Sequence, residues 1–241
     1  NNRREQVQAE GPARIARLAA EEGVEQLVHV SAIGADPDSD SAYARTKGVG
    51  EAAIKDTFPR AVILRPSIVF GPEDQFFNRF ASMARFGPVL PLVGASTRFQ
   101  PVYVDDVAQA AVKTVMGEVK PGIYELGGPD VASFRELMRQ MLTVIRRRRL
   151  VLGLPFWVGN LMGLGSAALK LVSGGRLSGP ITTDQVKNLK KDNVVAPDAL
   201  GFNELGITPT ALDAVLPEYL WRFRPDGQYS EITESAKNLK T

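Results

Sequence analysis

Tyr43 and Lys47 stand four residues apart in the stretch SAYARTKGVGEAAI, residues 41–54, and that spacing sets both side chains on one face of a helix. An ammonium beside a phenol favours the phenolate and brings a tyrosine toward a useful acid–base range. The same ammonium can hold the hydroxyls of a ribose. The plainer alternative is two residues that merely share a helix face, in a chain with five tyrosines among 241 residues. The surrounding sequence has to decide between them.

Other chemistries are narrowed by composition. There is no cysteine, which excludes a disulfide framework, thiolate metal sites and thiol catalysis. His29 is the one histidine, so a Ser–His triad has a single candidate and a multi-histidine metal site has none. Flanked by Val28 and Val30 in an apolar run, His29 reads as a half-buried packing residue. Asp105 and Asp106 form an adjacent carboxylate pair, one of which is expected to cap the helix that follows. Glu73 and Asp74 have no partner to make a metal or base site, and Lys190, Lys191 and Asp192 read as a solvated helix face. Forty-four per cent of residues are hydrophobic and 23% charged, ordinary for a globular protein of one large domain or two small ones. A net charge of +2 provides no strong field for nucleic acid, and no nucleic-acid partner is expected.

The elements that must position the pair are set by periodicity. Ile15, Leu18 and Ala19 recur at helical spacing between residues 10 and 22, with Gly23 as the stop. A short apolar β run covers 27–33. The helix bearing Tyr43 comes next, then RAVILRPSIVFGP as a second buried strand. A short strand and an Ala/Val-rich helix span 102–115, and GIYELGG, 122–128, is one more strand. This rhythm predicts an α/β fold built on a parallel sheet covered by helices. Ser133 and Glu136 make a capping box ahead of an amphipathic helix through Ile145, which runs into Arg146, Arg147, Arg148 and Arg149. Leu212, Val215, Leu216, Tyr219 and Leu220 mark a last helix, with Thr208 and Pro209 at its start and Pro217 expected to bend it. The tail, 225–241, is polar.

The order of these stretches, with the strand ending in Ser31, Tyr43-x-x-x-Lys47, LRPSIVFGP, PVYVDDVAQAAV and YELGGPDVASFRELMRQM, resembles the extended and atypical short-chain dehydrogenase/reductase superfamily. The resemblance implies a Rossmann-like doubly wound parallel sheet with a smaller, mostly helical C-terminal substrate-type domain. It divides the chain into residues 1–116, with 73–100 contributing to the second lobe, and residues 117–241. Such proteins begin with a strand and a glycine-rich loop that holds a pyrophosphate at a helix N-terminus. No such loop occurs in this sequence, which starts at Asn1 in helix-like residues and is expected to begin inside a domain. GLGSAALKLVSGG has glycines but reads as a turn between helices. In the family, the strand before the tyrosine ends in a Ser/Thr run whose third position helps bind the substrate oxygen; here the run is Ser31-Ala32-Ile33.

EDQFFNRFASMARFGPVLPLVG, RFQPVYVDDVAQA and ITTDQVKNLKKDNVV narrow the resemblance to the short-chain-dehydrogenase-like, NADPH-binding accessory subunits of respiratory complex I. That likeness implies a structurally bound NADP(H), with NAD(H) possible, held by Tyr43 and Lys47 at ribose and nicotinamide and by Pro66, Ser67 and Ile68 at the carboxamide. Ser31 joins this cofactor-binding set. The likeness also implies partners among the other complex I subunits, at the junction of the peripheral and membrane arms near the quinone site. The location would be the cytoplasmic side of a bacterial inner membrane, as the Ala/Arg/Gly-rich style suggests, or the matrix side of the mitochondrial one. The alternative is an active reductase or epimerase acting on a nucleotide sugar, steroid or isoprenoid, with Tyr43 and Lys47 catalytic.

The apolar segment 150–172 has two readings: part of the protein's own core, or an interfacial helix pair. In the second, Phe156 and Trp157 lie at headgroup level and Arg146–Arg149 face anionic lipid. Pro155, Asn160, several glycines and Lys170 make it a poor membrane span.

Overall fold

The computed structural model describes residues 6–172, 181–225 and 227; nearly all of the polar tail and the end of the glycine-bearing stretch lie outside them. Strands β1 (Val28–Val30), β2 (Val62–Pro66) and β7 (Gly122–Leu126) form a parallel three-stranded sheet in the order β1-β2-β7. β2 is buried along nearly its whole length, as expected of a strand covered on both faces. Its alternate residues serve different layers. Val62 and Leu64 pack with Val102, Ala110 and Leu126, and with Phe202 of the short helix α8 (Phe202–Leu205), beneath helix α4 (Val104–Val115). Arg65 points to the other side, where helix α2 (Ala42–Thr57) lies. Helix α1 (Gly11–Glu21) packs on α2 through Ala16, Ala19, Ile54 and Phe58. Helices therefore cover both faces, and the fold is Rossmann-like α/β.

α2 sits unusually close to the loop that precedes it. A Cβ at Gly48 would collide with the backbone of Asp36 and Pro37, so only glycine lets the helix settle there. This contact fixes the height of Tyr43 and Lys47 above the ends of β1 and β2.

A second, larger core joins helices α3 (Phe77–Phe86), α5 (Phe134–Val144) and α9 (Leu212–Leu220). Its centre is a set of rings, Phe76, Phe77, Phe80, Phe99 and Phe134, with neighbouring centroids 5.0–6.0 Å apart, within the range where edge and offset contacts are favourable. Phe99 reaches this core from β5 (Arg98–Phe99), which pairs antiparallel with β8 (Ala132–Ser133) just ahead of α5. α5 starts with the expected capping box, Ser133 Oγ accepting from the Glu136 amide while Glu136 accepts from the Ser133 amide at 2.8 Å.

Several sequence expectations are corrected. RAVILRPSIVFGP is two strands, because the chain bends at Ser67 and Ile68 before β3 (Val69–Phe70), which pairs with β6 (Val102–Tyr103) in a separate ribbon. The run 27–33 is a strand only over Val28–Val30. On α1, Ile15 and Leu18 are exposed; the buried residues are the small Ala16 and Ala19, which admit the close approach of α2. Segment 150–172 is not a helix pair. Leu150–Leu154 is strand β9, parallel to β4 (Val89–Val93), and Phe156–Val172 is a single helix, α6. The glycines read as a turn lie, where described, within α6. Gly159 and Gly163, one turn apart, let it press against Val93 and Thr183, where any Cβ would clash.

Lys190, Lys191 and Asp192 follow helix α7 (Thr183–Asn188) in a turn instead of forming a helix face, and Asp192 accepts from the Arg98 amide. Neither carboxylate of Asp105–Asp106 caps α4, whose N-cap is Tyr103. Asp106 is buried and instead accepts from the Thr210 amide and hydroxyl at 2.7 and 3.0 Å, anchoring the approach to α9. That helix begins at Leu212, after Ala211 and not at Thr208 or Pro209, and Pro217 lies inside it. Asp74 has a structural use, accepting from the Tyr219 hydroxyl and from the amides of Phe76 and Asn78.

Candidate functional site

Helix α2 is capped twice. Its own Ser41 hydroxyl accepts from the Ala44 amide at 3.4 Å. The second cap comes from 142 residues away in sequence: the Asp184 carboxylate accepts from the Ala42 amide at 2.7 Å, the Tyr43 amide at 3.3 Å and the Ser41 hydroxyl at 3.1 Å. A carboxylate there satisfies otherwise unpaired N–H groups and meets the positive end of the helix dipole. From this fixed start, Tyr43, Lys47 and Glu51 succeed one another at intervals of four, stacked along one helix face.

Each member of that face is held differently. The Lys47 Nζ donates to the Val30 carbonyl at 3.0 Å, at the C-terminal end of β1. Burial pulls its pKa below the usual value, with Glu51 opposing that shift. Glu51 is buried, its side chain 5% exposed. It receives both arms of Arg65, Nε at 2.9 Å and a terminal nitrogen at 2.6 Å, the bidentate geometry in which guanidinium and carboxylate bind most strongly. The other terminal nitrogen of Arg65 reaches Glu125 on β7 at 3.5 Å.

The strand ends supply the remaining groups. Ser31 is 4% exposed, its amide donates to the Leu64 carbonyl at 2.7 Å, and its Oγ has no hydrogen-bond partner among the described residues. Buried hydroxyls are rarely left unsatisfied, and in open α/β sheets ligands bind outside the C-terminal ends of the strands. An orphaned hydroxyl at such an end, one residue from the carbonyl that Lys47 holds, fits a polar ligand there. Pro66 ends β2, aligned with Leu126. The Ser67 amide donates to the Leu126 carbonyl at 2.8 Å, while its hydroxyl donates to Asn193, at 2.7 Å to the side-chain oxygen and 3.1 Å to the carbonyl. Ile68 packs toward the aromatic core.

Five of the six predicted positions are thus brought to one edge, with Tyr43 and Lys47 on α2, Ser31 after the end of β1, and Pro66 and Ser67 at the end of β2; the sixth, Ile68, turns away toward the aromatic core. Sequence reasoning missed Glu51, whose spacing of four from Lys47 was a legible signal, and Asp184 and Asn193, for which local sequence carried none. His29 is half-buried as expected but is more than packing. Its Nε2 is buried without a partner among the described residues, and burial first, then Lys47, drive its pKa below the ordinary 6.5, with Glu51 opposing. A cleft of about 660 Å³ at the start of α5 is lined by Arg98, Arg135 and Phe156, with none of the six among its walls.

The surface expected to meet lipid is also revised. Arg147 and Arg149 turn inward, donating to the carbonyls of Phe223 and Ala84 at 2.8 and 2.7 Å, and leave Arg146 and Arg148 exposed. Phe156 is half-buried with the Lys190 ammonium over its ring, whereas Trp157 is 67% exposed. Among the described residues no helix is long and apolar enough to cross a membrane, and no acidic or histidine cluster has metal-binding geometry.

Known proteins resemble this chain in both sequence and fold. A family model described as the RmlD substrate binding domain matches residues 1–152. The chain is 34% identical over 238 residues to mitochondrial NADH dehydrogenase [ubiquinone] 1 alpha subcomplex subunit 9 of Mus musculus, covering 95% of this chain and 60% of that protein. It is 30% identical to the mitochondrial NADH-ubiquinone oxidoreductase 40 kDa subunit of Neurospora crassa, over 93% of this chain and 58% of that one. The chain therefore spans about 60% of the length of these curated relatives. Among solved structures, dTDP-glucose 4,6-dehydratase from Bacillus anthracis in complex with NAD aligns with a TM-score of 0.62 at 16% identity, over 98% of this chain and 71% of that one. That likeness is one of fold.

Two outcomes test the site's electrostatics. Arg65→Met strands the Glu51 carboxylate in a buried position and should cost about 3–5 kcal/mol; a denaturation midpoint close to wild type would contradict the pair's role. His29 has a folded pKa below its unfolded one, so protonation favours the unfolded chain. Its share of stability is complete above about pH 6.5 and is lost as pH falls below that value. Urea midpoints measured from pH 8 to pH 5 should fall less steeply for His29→Leu than for wild type, and equal slopes would contradict this.

Proposed function

The chain belongs to the RmlD substrate binding domain family, and on that premise we propose that it is a non-catalytic accessory subunit of a respiratory NADH:ubiquinone oxidoreductase that holds a nicotinamide dinucleotide structurally. The observation that carries the cofactor half of this reading is the Lys47 ammonium held on the Val30 carbonyl, one residue from the orphaned Ser31 hydroxyl at the sheet's C-terminal edge, with Tyr43 one turn earlier on α2. Tyr43 and Lys47 would hold the ribose, Ser31 would satisfy its hydroxyl on the cofactor, and Pro66 and Ser67 would face the carboxamide, without Ile68, which packs into the aromatic core. A nicotinamide ring supplies a transferable hydride when bound, and in an enzyme Tyr43 would deliver or take the proton. Ile33, half-buried where the superfamily uses a hydroxyl on substrate oxygen, favours retention over turnover. The cofactor is NADP(H) in this proposal, with NAD(H) the alternative.

The assembly half rests on similarity over nearly all of this chain to subunits named for that oxidoreductase. The division into a dinucleotide-holding part and a second lobe that includes 73–100 belongs to the proposal, with one change from a boundary at 116: β7 pairs with β2 and Phe202 packs beneath it, so both go with the first part, while the shared core of Phe77, Phe99, Phe134 and Leu216 supports the second. The protein would lie peripherally where the two arms meet near the quinone site, on the cytoplasmic face of a bacterial inner membrane or on the equivalent matrix face. Exposed Arg146, Arg148 and Trp157 would face lipid or neighbouring subunits. The outer face of the β4–β9 ribbon, with Val89 and Leu150 exposed on paired residues and Phe86 86% exposed beside them, supports a covered surface, since apolar patches of this kind mark interaction sites.

An active reductase remains the second reading because both Tyr43 and Lys47 are present. NADPH titration of the full-length protein, followed by cofactor fluorescence, separates the two. Lys47→Met should weaken binding about tenfold or more, roughly 1.4 kcal/mol, while Tyr43→Phe should change affinity only a few-fold and leave respiratory activity of the assembly intact. Loss of a carbonyl-reducing activity by about two orders of magnitude or more in Tyr43→Phe would favour the enzyme, and absence of dinucleotide binding in wild type would overturn both.

A further inference from the structure

We infer that residues 181–196 form a strap across the C-terminal edge of the sheet that positions the cofactor-binding helix and closes the seam through which a substrate would reach the cofactor. This rests on the dinucleotide reading proposed above.

The strap is fastened at both ends to groups that define the site. At its start, Thr182 and Gln185 form a capping box that fixes α7 and so presents Asp184 to the first amides of α2. Lys187 donates to the Asp40 carbonyl at 3.1 Å, on the turn leading into the same helix. Asp184 is therefore a positioning residue, acting through the Tyr43 backbone and the helix start.

At the far end, Asn193 is sewn into the opposite side of the edge. Its amide donates to the Arg98 carbonyl at 2.8 Å, and its own carbonyl accepts from the Gln100 amide at 3.1 Å. Its side chain accepts from Ser67 Oγ and extends Nδ2 toward the Ile33 carbonyl at 3.5 Å. Ile33 follows β1 and Ser67 follows β2, so one asparagine side chain bridges the loops leaving adjacent parallel strands. These loops lie at the carboxyl ends of the strands, the edge on which open α/β sheets bind ligands. The next residues continue the attachment, Val195 donating to Gln100 Oε1 at 3.1 Å and Ala196 to Glu125 at 2.9 Å.

The strap has two effects. A substrate approaching the Tyr43 face between these loops would have to displace Asn193 and unpair Ser67. A dinucleotide seated beneath would leave slowly, because its nicotinamide end is covered by a segment tied to both strands and to the helix. Retention and lack of turnover then share one cause.

The test is the release rate of NADPH from the full-length protein, read as the decay of bound-cofactor fluorescence on dilution into excess NADP. Asn193→Ala should raise the rate tenfold or more while the melting temperature of the cofactor-free protein falls by only a few degrees, since the carbonyl at that position still accepts from Ser67. Asp184→Ala should raise it similarly and Asp184→Asn by less, because the amide keeps one acceptor oxygen. Rates within twofold of wild type in Asn193→Ala and Asp184→Asn overturn the inference, even if Asp184→Ala does not fold. Should wild type bind no dinucleotide, the functional reading fails separately and amide hydrogen exchange judges the strap. Faster exchange at Ala42 and Tyr43 in Asp184→Asn supports it, and unchanged exchange overturns it.

Discussion

The guanidinium of Arg65, in the middle strand of the sheet, is held by Glu51 on one side and faces Glu125 on the other, and the site's geometry depends on it. Removing such charges from water is costly, and only bidentate contact with every oxygen occupied offsets it. The second oxygen of Glu125 accepts from Ala196, so the chain of charges runs from α2 through β2 and β7 into the segment that crosses the site. Helix, sheet and strap are thereby coupled by four groups. An apolar contact of similar area would tolerate sliding of the helix along the strand; a two-point hydrogen-bonded fork does not. The helix face that presents Tyr43 and Lys47 has its register set by Glu51, one turn further on.

Burial around this line shapes its chemistry. Lys47 and His29 both lie where desolvation disfavours their charged forms. Glu51 opposes the shift at both, and Lys47 gives one donor to the Val30 carbonyl. The other donors of its ammonium remain directed by the same anchor, suited to holding hydroxyls. In the proposed reading the site retains a cofactor without turning it over, because Ile33 stands where the superfamily uses a hydroxyl.

Legibility in the sequence tracked distance along the chain. The capping box at Ser133 and Glu136 and the stop at Gly23 were readable because each uses residues within one helical turn. Tyr43, Lys47 and the strand ends were readable because a parallel sheet brings consecutive strand termini to one edge. β9 was not, because Leu150 and Leu152 are apolar on its exposed face as Val151 is on its buried one, which erases the period-two signal. Its outward leucines leave an exposed apolar face on the ribbon. Asp106, Asp184 and Asn193 were illegible for a different reason: the partners of their side chains lie more than a hundred residues away, and an acidic or amide residue in a polar stretch looks locally like any solvated one.

The claim on which everything converges is that this protein works as a fixture of a larger respiratory assembly. It is tested most directly by extracting native membranes gently, separating them by size without denaturation and locating the protein. Co-migration with NADH:quinone oxidoreductase activity is the predicted result. Migration as a small species apart from that activity would contradict the account and leave Tyr43 as the acid of an independent enzyme.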